Sequence, residues 1–158
     1  MIKFLTLIFV SLSSFCFSQS ILEDSDLLWS KGDILIGVNS ELTENSWTDI
    51  TISPSIGYAF TDNDLIYGNF RHVDSPSRSS YKVGYNRQLC NLGYVGMGLS
   101  VSKYQSEDWA KYFCLEAGIG KTIGGWLLVT PKVTFEHLWD NEITQYTVNT
   151  SITFSLKL

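Results

Sequence analysis

The chain has 158 residues, with 11 Lys or Arg against 16 Asp or Glu, so its formal net charge is −5. That length suits one domain, and the acidic balance excludes a nucleic-acid partner, which would need clustered cations. Beyond the N-terminus, no apolar run approaches the roughly 20 residues of a membrane-spanning helix. Any membrane crossing by the remaining chain would therefore use strands.

The N-terminus has the pattern of a secretory signal peptide. Lys3 precedes the apolar run 4–12, and small residues occupy the −3 and −1 positions of a cleavage site before Gln19. The run is too short to span a membrane, and a bulky residue before Cys16 disfavours lipidation there. We expect residues 1–18 to be removed, which leaves 10 basic and 16 acidic side chains.

After a lead-in at 19–32, the unit 33–158 repeats one pattern. Apolar and polar side chains alternate over segments of roughly ten residues, which is the periodicity of β-strands. The eight predicted segments are 33–42, 49–60, 65–72, 80–89, 93–104, 111–121, 126–138 and 144–158. An even number of strands brings both ends of this unit to the same side of a sheet.

Short and longer connections alternate between these segments. Tight turns are predicted where Asp, Asn or Gly cluster, at 61–64, 90–92 and 122–125, and longer polar loops at 43–48, 73–79, 105–110 and 139–143. This asymmetry is typical of outer-membrane barrels, whose periplasmic turns are shorter than their outer loops.

The composition of the polar face indicates which face is buried. Its residues are small: Thr, Ser, Ser, Gly and Ala alternate through 51–59, and Gly, Gly, Ser and Ser through 96–102. Glycine weakens an exposed strand but makes room inside a narrow barrel. We therefore predict that the apolar side chains face lipid. In the third segment, Ile66 and Phe70 are expected outward, which turns Arg71 inward.

Four tryptophans are predicted to mark the membrane boundaries. Trp47, Trp109 and Trp139 lie at or beside the longer loops, and Trp126 follows a tight turn. Indole rings prefer the membrane–water interface, where one edge is apolar and the other wet.

Two prolines fall within predicted strands, at Pro54 and Pro131. Each removes a donor from the backbone ladder. A bulge is expected at each of them.

These features resemble the small outer-membrane β-barrel proteins of the OmpA/OmpX type, particularly the short versions found in Bacteroidota. The likeness rests on the signal end Phe17-Ser18-Gln19, the stretch 53–58 running into the 61–64 turn, Thr130-Pro131-Lys132, and the alternating segment 146–158. It implies an all-β, eight-stranded, antiparallel, up-and-down transmembrane barrel in the cell outer membrane, with 19–32 in the periplasm. It also implies outer-membrane lipids, lipopolysaccharide and, during biogenesis, the barrel-assembly machinery as partners.

The barrel interior is predicted to hold an ion-pair network. Its members are Glu41, Arg71, Lys82, Glu116, Lys132 and Glu136. Glu116 should lie nearly opposite Pro131, within diagonal reach of Lys132. Because buried charges must be paired or hydrated, and eight strands leave an interior that side chains fill, we expect this network to plug the lumen.

No catalytic residue, metal site or cofactor is predicted. His137 is similar in position to the rim histidine of lipid A deacylases, but Trp139 stands where that family has Ser. Cys90 and Cys114 are expected to lie too far apart for a disulfide, which leaves two free thiols.

The predicted role is therefore structural or interactive, in envelope integrity or surface interaction. Three alternatives remain open. They are a narrow pore, a soluble periplasmic lipocalin-like barrel that binds an apolar ligand, and, least favoured, a lipid A-modifying enzyme.

Overall fold

The computed structural model describes residues 27–42, 50–74, 77–90, 92–105, 108–139 and 146–158. The predicted signal 1–18 and Trp47 lie outside these ranges, as does the side chain of Glu41. The strands are β1 (Ile34–Leu42), β2 (Ile50–Ala59), β3 (Asp64–Asp74), β4 (Ser77–Gln88), β5 (Gly93–Tyr104), β6 (Ala110–Ile119), β7 (Lys121–Ile123), β8 (Leu127–Leu138) and β9 (Tyr146–Lys157). In the described ranges, no helix is long and apolar enough to cross a membrane.

The strands form one closed antiparallel barrel. Their order is β6-β5-β4-β3-β2-β1-β9-β8-β7, and β6 also pairs with β8, so the sheet closes on itself. β6 and β7 pair with β8 in a single register, in which Gly118 faces Lys132 and Lys121 faces Val129. Counted together, they make one barrel strand with a break at Gly120, which gives eight strands around the barrel. The predicted fold class is confirmed.

The break between β6 and β7 stands opposite a proline. Pairing with β8 stops at Lys132 and resumes at Val129, so the gap includes Pro131, which has no N–H to donate. No bulge occurs at Pro131 in the β8–β9 ladder or at Pro54 in the β1–β2 ladder, since both keep their register. On its other side, β2 pairs with β3 only from Ser55 onward, beside Pro54.

The register fixes the tilt of the strands. Leu35 pairs directly with Lys157. The path through the six strands on the other side reaches β9 at Thr147, ten residues earlier, by way of Gly57, Tyr67, Gly84, Gly98, Cys114 and Glu136. With about 3.3 Å per residue and about 4.8 Å between strands, this offset tilts the strands by about 40°. The interior is consequently narrow.

The polarity of the barrel is inverted relative to a soluble protein. Buried side chains in the wall include Asn39, Ser53, Asn86, Glu116 and Thr134, whereas large apolar side chains such as Ile52, Val83 and Leu99 are exposed. The predicted outward direction of Ile66 and Phe70 is confirmed, with Leu65 buried on the opposite face. An exposed apolar surface this extensive marks a membrane or protein interface.

One end of the barrel, which we call the turn end, carries the connections after β2, β4 and β7. The termini of the barrel meet there too, because the Ile34 N–H donates to the Leu158 carbonyl at 3.2 Å. After β7, Gly124 and Gly125 have φ of 62° and 78°, values that two-residue hairpin turns require and L side chains resist. The opposite end is called the loop end.

At the loop end, one connection is shorter than expected. β3 extends to Asp74 and β4 begins at Ser77, so the predicted loop 73–79 is wrong. The connection from Tyr104 to Ala110 is close to the predicted 105–110.

Candidate functional site

The centre of the lumen is built around one carboxylate. Glu116 on β6 accepts hydrogen bonds at Oε2 from Lys82 Nζ at 3.2 Å and from Lys132 Nζ at 3.3 Å. The three side chains are 0%, 13% and 8% exposed, respectively. Two cations therefore share one anion away from water, an arrangement that depends on each group keeping its partners.

Neutral groups complete the surroundings of this charge cluster. With its amide turned so that donors meet acceptors, Asn86 donates to Glu116 Oε1 at 2.8 Å. The Lys132 ammonium lies 5.2 Å from the centre of the Tyr67 ring, within the range of a cation–π contact. The Tyr67 ring in turn covers Gly84, where an added Cβ would lie 2.5 Å from the ring. Position 84 therefore requires glycine, because the Tyr67 ring packs directly against the backbone there.

Two further predicted lumen charges lie on β8 and β3. Glu136 on β8 accepts from Asn149 Nδ2 at 3.2 Å. Arg71 is half-buried on the inward face of β3. The structure thus brings Glu116, Lys82 and Lys132 together and places Glu136 in a separate polar contact.

The two cysteines differ in state. Cys114 is buried as a free thiol, and its Sγ lies 3.6 Å from both Ser100 Oγ and Glu136 Oε1. Cys90 is disulfide-bonded, but not to Cys114. The predicted absence of a disulfide between these two cysteines is confirmed, whereas the free thiol predicted at Cys90 is not found. Within the described part of the chain, no group of three His, Cys, Asp or Glu could hold a metal ion.

The turn end of the lumen is closed by a segment that sequence reasoning treated only as a lead-in. Residues 27–33, which we call the cap, insert Leu28 and Trp29 into the barrel mouth. Both are almost completely buried, in a cluster with Leu35, Ala59, Leu65, Tyr94 and Leu128. Trp29 meets Tyr94 edge to face, with ring centroids 5.7 Å apart. The apolar run 27–29 was the sequence signal for burial of this segment, but it does not tell which part of the barrel the run packs against.

The cap is positioned by the barrel wall. Leu28 packs against Gly120, where an added Cβ would come within 2.8 Å of Leu28 Cδ2. Gly32 N–H donates to the Ala59 carbonyl at 2.7 Å, and Lys31 N–H donates to Asp62 at 2.9 Å. These hydrogen bonds hold the cap against the end of β2 and the turn between β2 and β3.

Little free space remains between the cap and the charge cluster. The cavity there measures about 50 Å³ and is lined by residues that include Trp29, Asn86, Tyr94 and Lys132. This volume holds a few water molecules. The lumen is therefore closed at two levels, by apolar packing at the turn end and by charges above it.

Aromatic side chains surround both ends on the outer surface. At the loop end, Trp109 packs on Tyr81 at 5.9 Å between ring centroids, and Tyr81 packs on Phe70 at 4.9 Å. Trp139 is also exposed at that end, and Trp126 at the turn end. His137 stacks on Tyr146 at 4.8 Å.

Comparison with known proteins gives structural neighbours only. No protein-family model matches the chain, and no curated protein matches it. The N-terminal β-barrel domain of Pseudomonas aeruginosa OprF aligns with a TM-score of 0.65 and 11% identity, over 82% of this chain and 100% of that domain. Yersinia pestis outer membrane protein Ail aligns with a TM-score of 0.47 and 13% identity, over 82% of this chain and 100% of Ail. Outer membrane protein AlkL aligns with a TM-score of 0.47 and 13% identity, over 87% of this chain and 91% of AlkL.

The OprF alignment shows the fold. The chain shares with the OprF domain the fold of a closed, antiparallel β-barrel.

Proposed function

We propose that the protein is an integral outer-membrane barrel with a structural or surface-interaction role and a lumen plugged by its own side chains. The observation that carries this proposal is the inverted polarity of the wall. Strands around the whole barrel turn large apolar side chains outward, while Ser, Thr, Asn and Glu fill the interior. Hydrocarbon is the solvent that suits such a surface. The polar interior is unsuited to an apolar ligand, which disfavours a lipocalin-like function.

The plugged lumen is supported by two independent barriers. Glu116 is held between Lys82 and Lys132, and the cap fills the mouth below with Leu28 and Trp29. We therefore infer that the barrel contributes to envelope integrity or to weak contacts through its loop end, and that it does not conduct. Planar-bilayer recordings test this point, and steady single-channel conductance of the wild-type protein would support the narrow pore instead.

The proposal includes an orientation and its partners. The signal is removed before Gln19, and the turn end faces the periplasm. The loop end carries Trp109 with the Lys103 ammonium 6.0 Å from its ring, and such aromatic and cationic groups suit the phosphates of lipopolysaccharide. Outer-membrane lipids and lipopolysaccharide are thus the proposed neighbours, and the barrel-assembly machinery the proposed route of insertion. No catalytic step forms part of this function.

Fractionation tests the proposal. The full chain is expressed in a Gram-negative host, and osmotic-shock fluid, inner membranes and outer membranes are compared. The expected result is protein in the outer-membrane fraction that resists urea washing, needs detergent, and migrates differently on a gel before and after boiling. Protein recovered in the shock fluid and monodisperse in plain buffer would overturn the proposal.

A further inference from the structure

The break in the barrel wall at Gly120 leaves a groove on the outer surface. The groove has a volume of about 380 Å³, and its apolar walls come from Leu92, Ile119, Ile123, Val129 and Pro131. Small-molecule sites occupy about 300–1,000 Å³. The groove therefore has room for part of a ligand on a wall that is otherwise convex.

The backbone explains why the groove forms here. Gly120 N–H donates to the Leu92 carbonyl at 2.7 Å, and β5 begins only at the next residue, Gly93. In the described part of the chain, β7 pairs with β8 alone. An open strand edge is not tolerated in hydrocarbon. This end of the groove consequently lies where the hydrocarbon meets the polar headgroups.

A cation stands at the groove. Lys121 lines it and is exposed. Three other basic residues of the wall have acidic partners: Lys82 and Lys132 pair with Glu116, and Arg87 pairs with Asp64. Among the described residues, Lys121 has no acidic group within ion-pair distance. A long basic side chain at a membrane boundary extends its charge toward the headgroups, where an anion would be its partner.

We propose that the groove binds one anionic glycerophospholipid, with an acyl chain along the apolar walls and the phosphate at Lys121. The inference rests on the proposed function, because the groove faces lipid only if the outer surface is embedded. Apolar contact and charge complementarity act together in this site. The lipid comes from the leaflet at the turn end.

The test uses the purified full-length barrel in detergent, with dipalmitoylphosphatidylglycerol as the probe and native mass spectrometry as the readout. Lys121→Gln is expected to weaken the first bound lipid about tenfold, the effect of losing one bond to a charged group. Lys111→Gln is the matched control, since Lys111 is exposed at the other end of the same barrel strand. It should leave binding unchanged. Equal binding by the wild type and Lys121→Gln overturns the site.

A second set of measurements separates the two halves of the ligand. Leu92→Phe adds bulk to the groove and leaves the charge of Lys121 in place, and it is expected to weaken the same first adduct. Glycerol phosphate without acyl chains and dipalmitoylglycerol without phosphate should each fail to compete at equal concentration. Competition by glycerol phosphate would show that the phosphate contact alone accounts for binding, and it would contradict an acyl chain in the groove. All variants must keep the heat-dependent gel shift. A wild-type barrel that shows this shift but does not prefer the lipid over its two fragments contradicts this inference alone.

Discussion

At the scale of single residues, the lumen depends on Glu116. Its carboxylate is the shared acceptor of Lys82 and Lys132, so neutralising it leaves two ammonium groups facing each other in a dry interior. Breaking a buried ion pair from one side costs about 3–5 kcal/mol, mostly because an unpaired charge remains. Glu116 is therefore a stability determinant whose effect should depend on its partners.

We expect Glu116→Gln to lower the free energy of unfolding by about 3–5 kcal/mol, measured by urea titration in detergent with the heat-dependent gel shift as the readout. Adding Lys132→Gln should recover part of that loss, because one of the two stranded cations is removed. The cycle of two single variants and the double variant gives the coupling. Strictly additive effects would show that this pair does not interact.

A second residue-scale prediction concerns Gly118. An added Cβ would lie 2.6 Å from the Tyr94 ring, which cannot retreat because Trp29 packs against it. Gly118→Ala is expected to cost about 1–3 kcal/mol through overpacking, measured by the same urea titration. Gly68→Ala is the control, since its Cβ would meet nothing closer than 3.9 Å. Equal stability of the two variants would contradict this role for Gly118.

At the scale of elements, local patterning predicted the strands and their faces. Alternation is a property of each segment, so the outward side of β2 or β5 could be read without knowing its neighbours. The cap could not, because Leu28 packs against Gly120 and Trp29 against Tyr94, and both partners are distant in sequence. The break after β6 also escaped prediction, since it needs Pro131 to be placed opposite by the register. Lys132 was expected beside Glu116 because hairpin pairing sets diagonal distances, but the predicted pairing of Glu116 with Pro131 was wrong, since Glu116 pairs with Thr134.

The cap yields a prediction of its own. Trp29 is 1% exposed, so Trp29→Ala should lower stability by about 3–5 kcal/mol through cavity formation. Trp126→Ala is the matched control, a tryptophan at the same end that is 56% exposed, and it should have a small effect. Urea titration of both variants provides the measurement. A Trp29→Ala variant as stable as Trp126→Ala would show that the cap contributes nothing to the barrel.

At the scale of the whole molecule, the outer surface distinguishes a membrane barrel from a water-soluble one. Val83 lies in the middle of β4 and is 68% exposed, while Leu89 lies at the turn end just after the same strand and is 50% exposed. If the outer surface faces water, a lysine at either position should change the free energy of unfolding little, because both positions are exposed. In a bilayer, the two positions differ in depth.

Val83→Lys is therefore expected to cost about 2–4 kcal/mol, and Leu89→Lys about 0–1 kcal/mol. Folding into phospholipid vesicles, followed by urea titration, measures both. A result in which the two lysine variants are equally tolerated would place the outer surface in water.

Closure of the barrel depends on its first and last strands. β1 pairs with β9, as Leu35 does with Lys157, so this contact cannot form before almost the entire chain has been delivered. Until then the sheet has two open borders, which lipid tails do not tolerate, and such distant pairing is slow to form. In the proposed membrane barrel, insertion and closure would therefore coincide, and a precursor arrested before β9 would remain in the aqueous compartment.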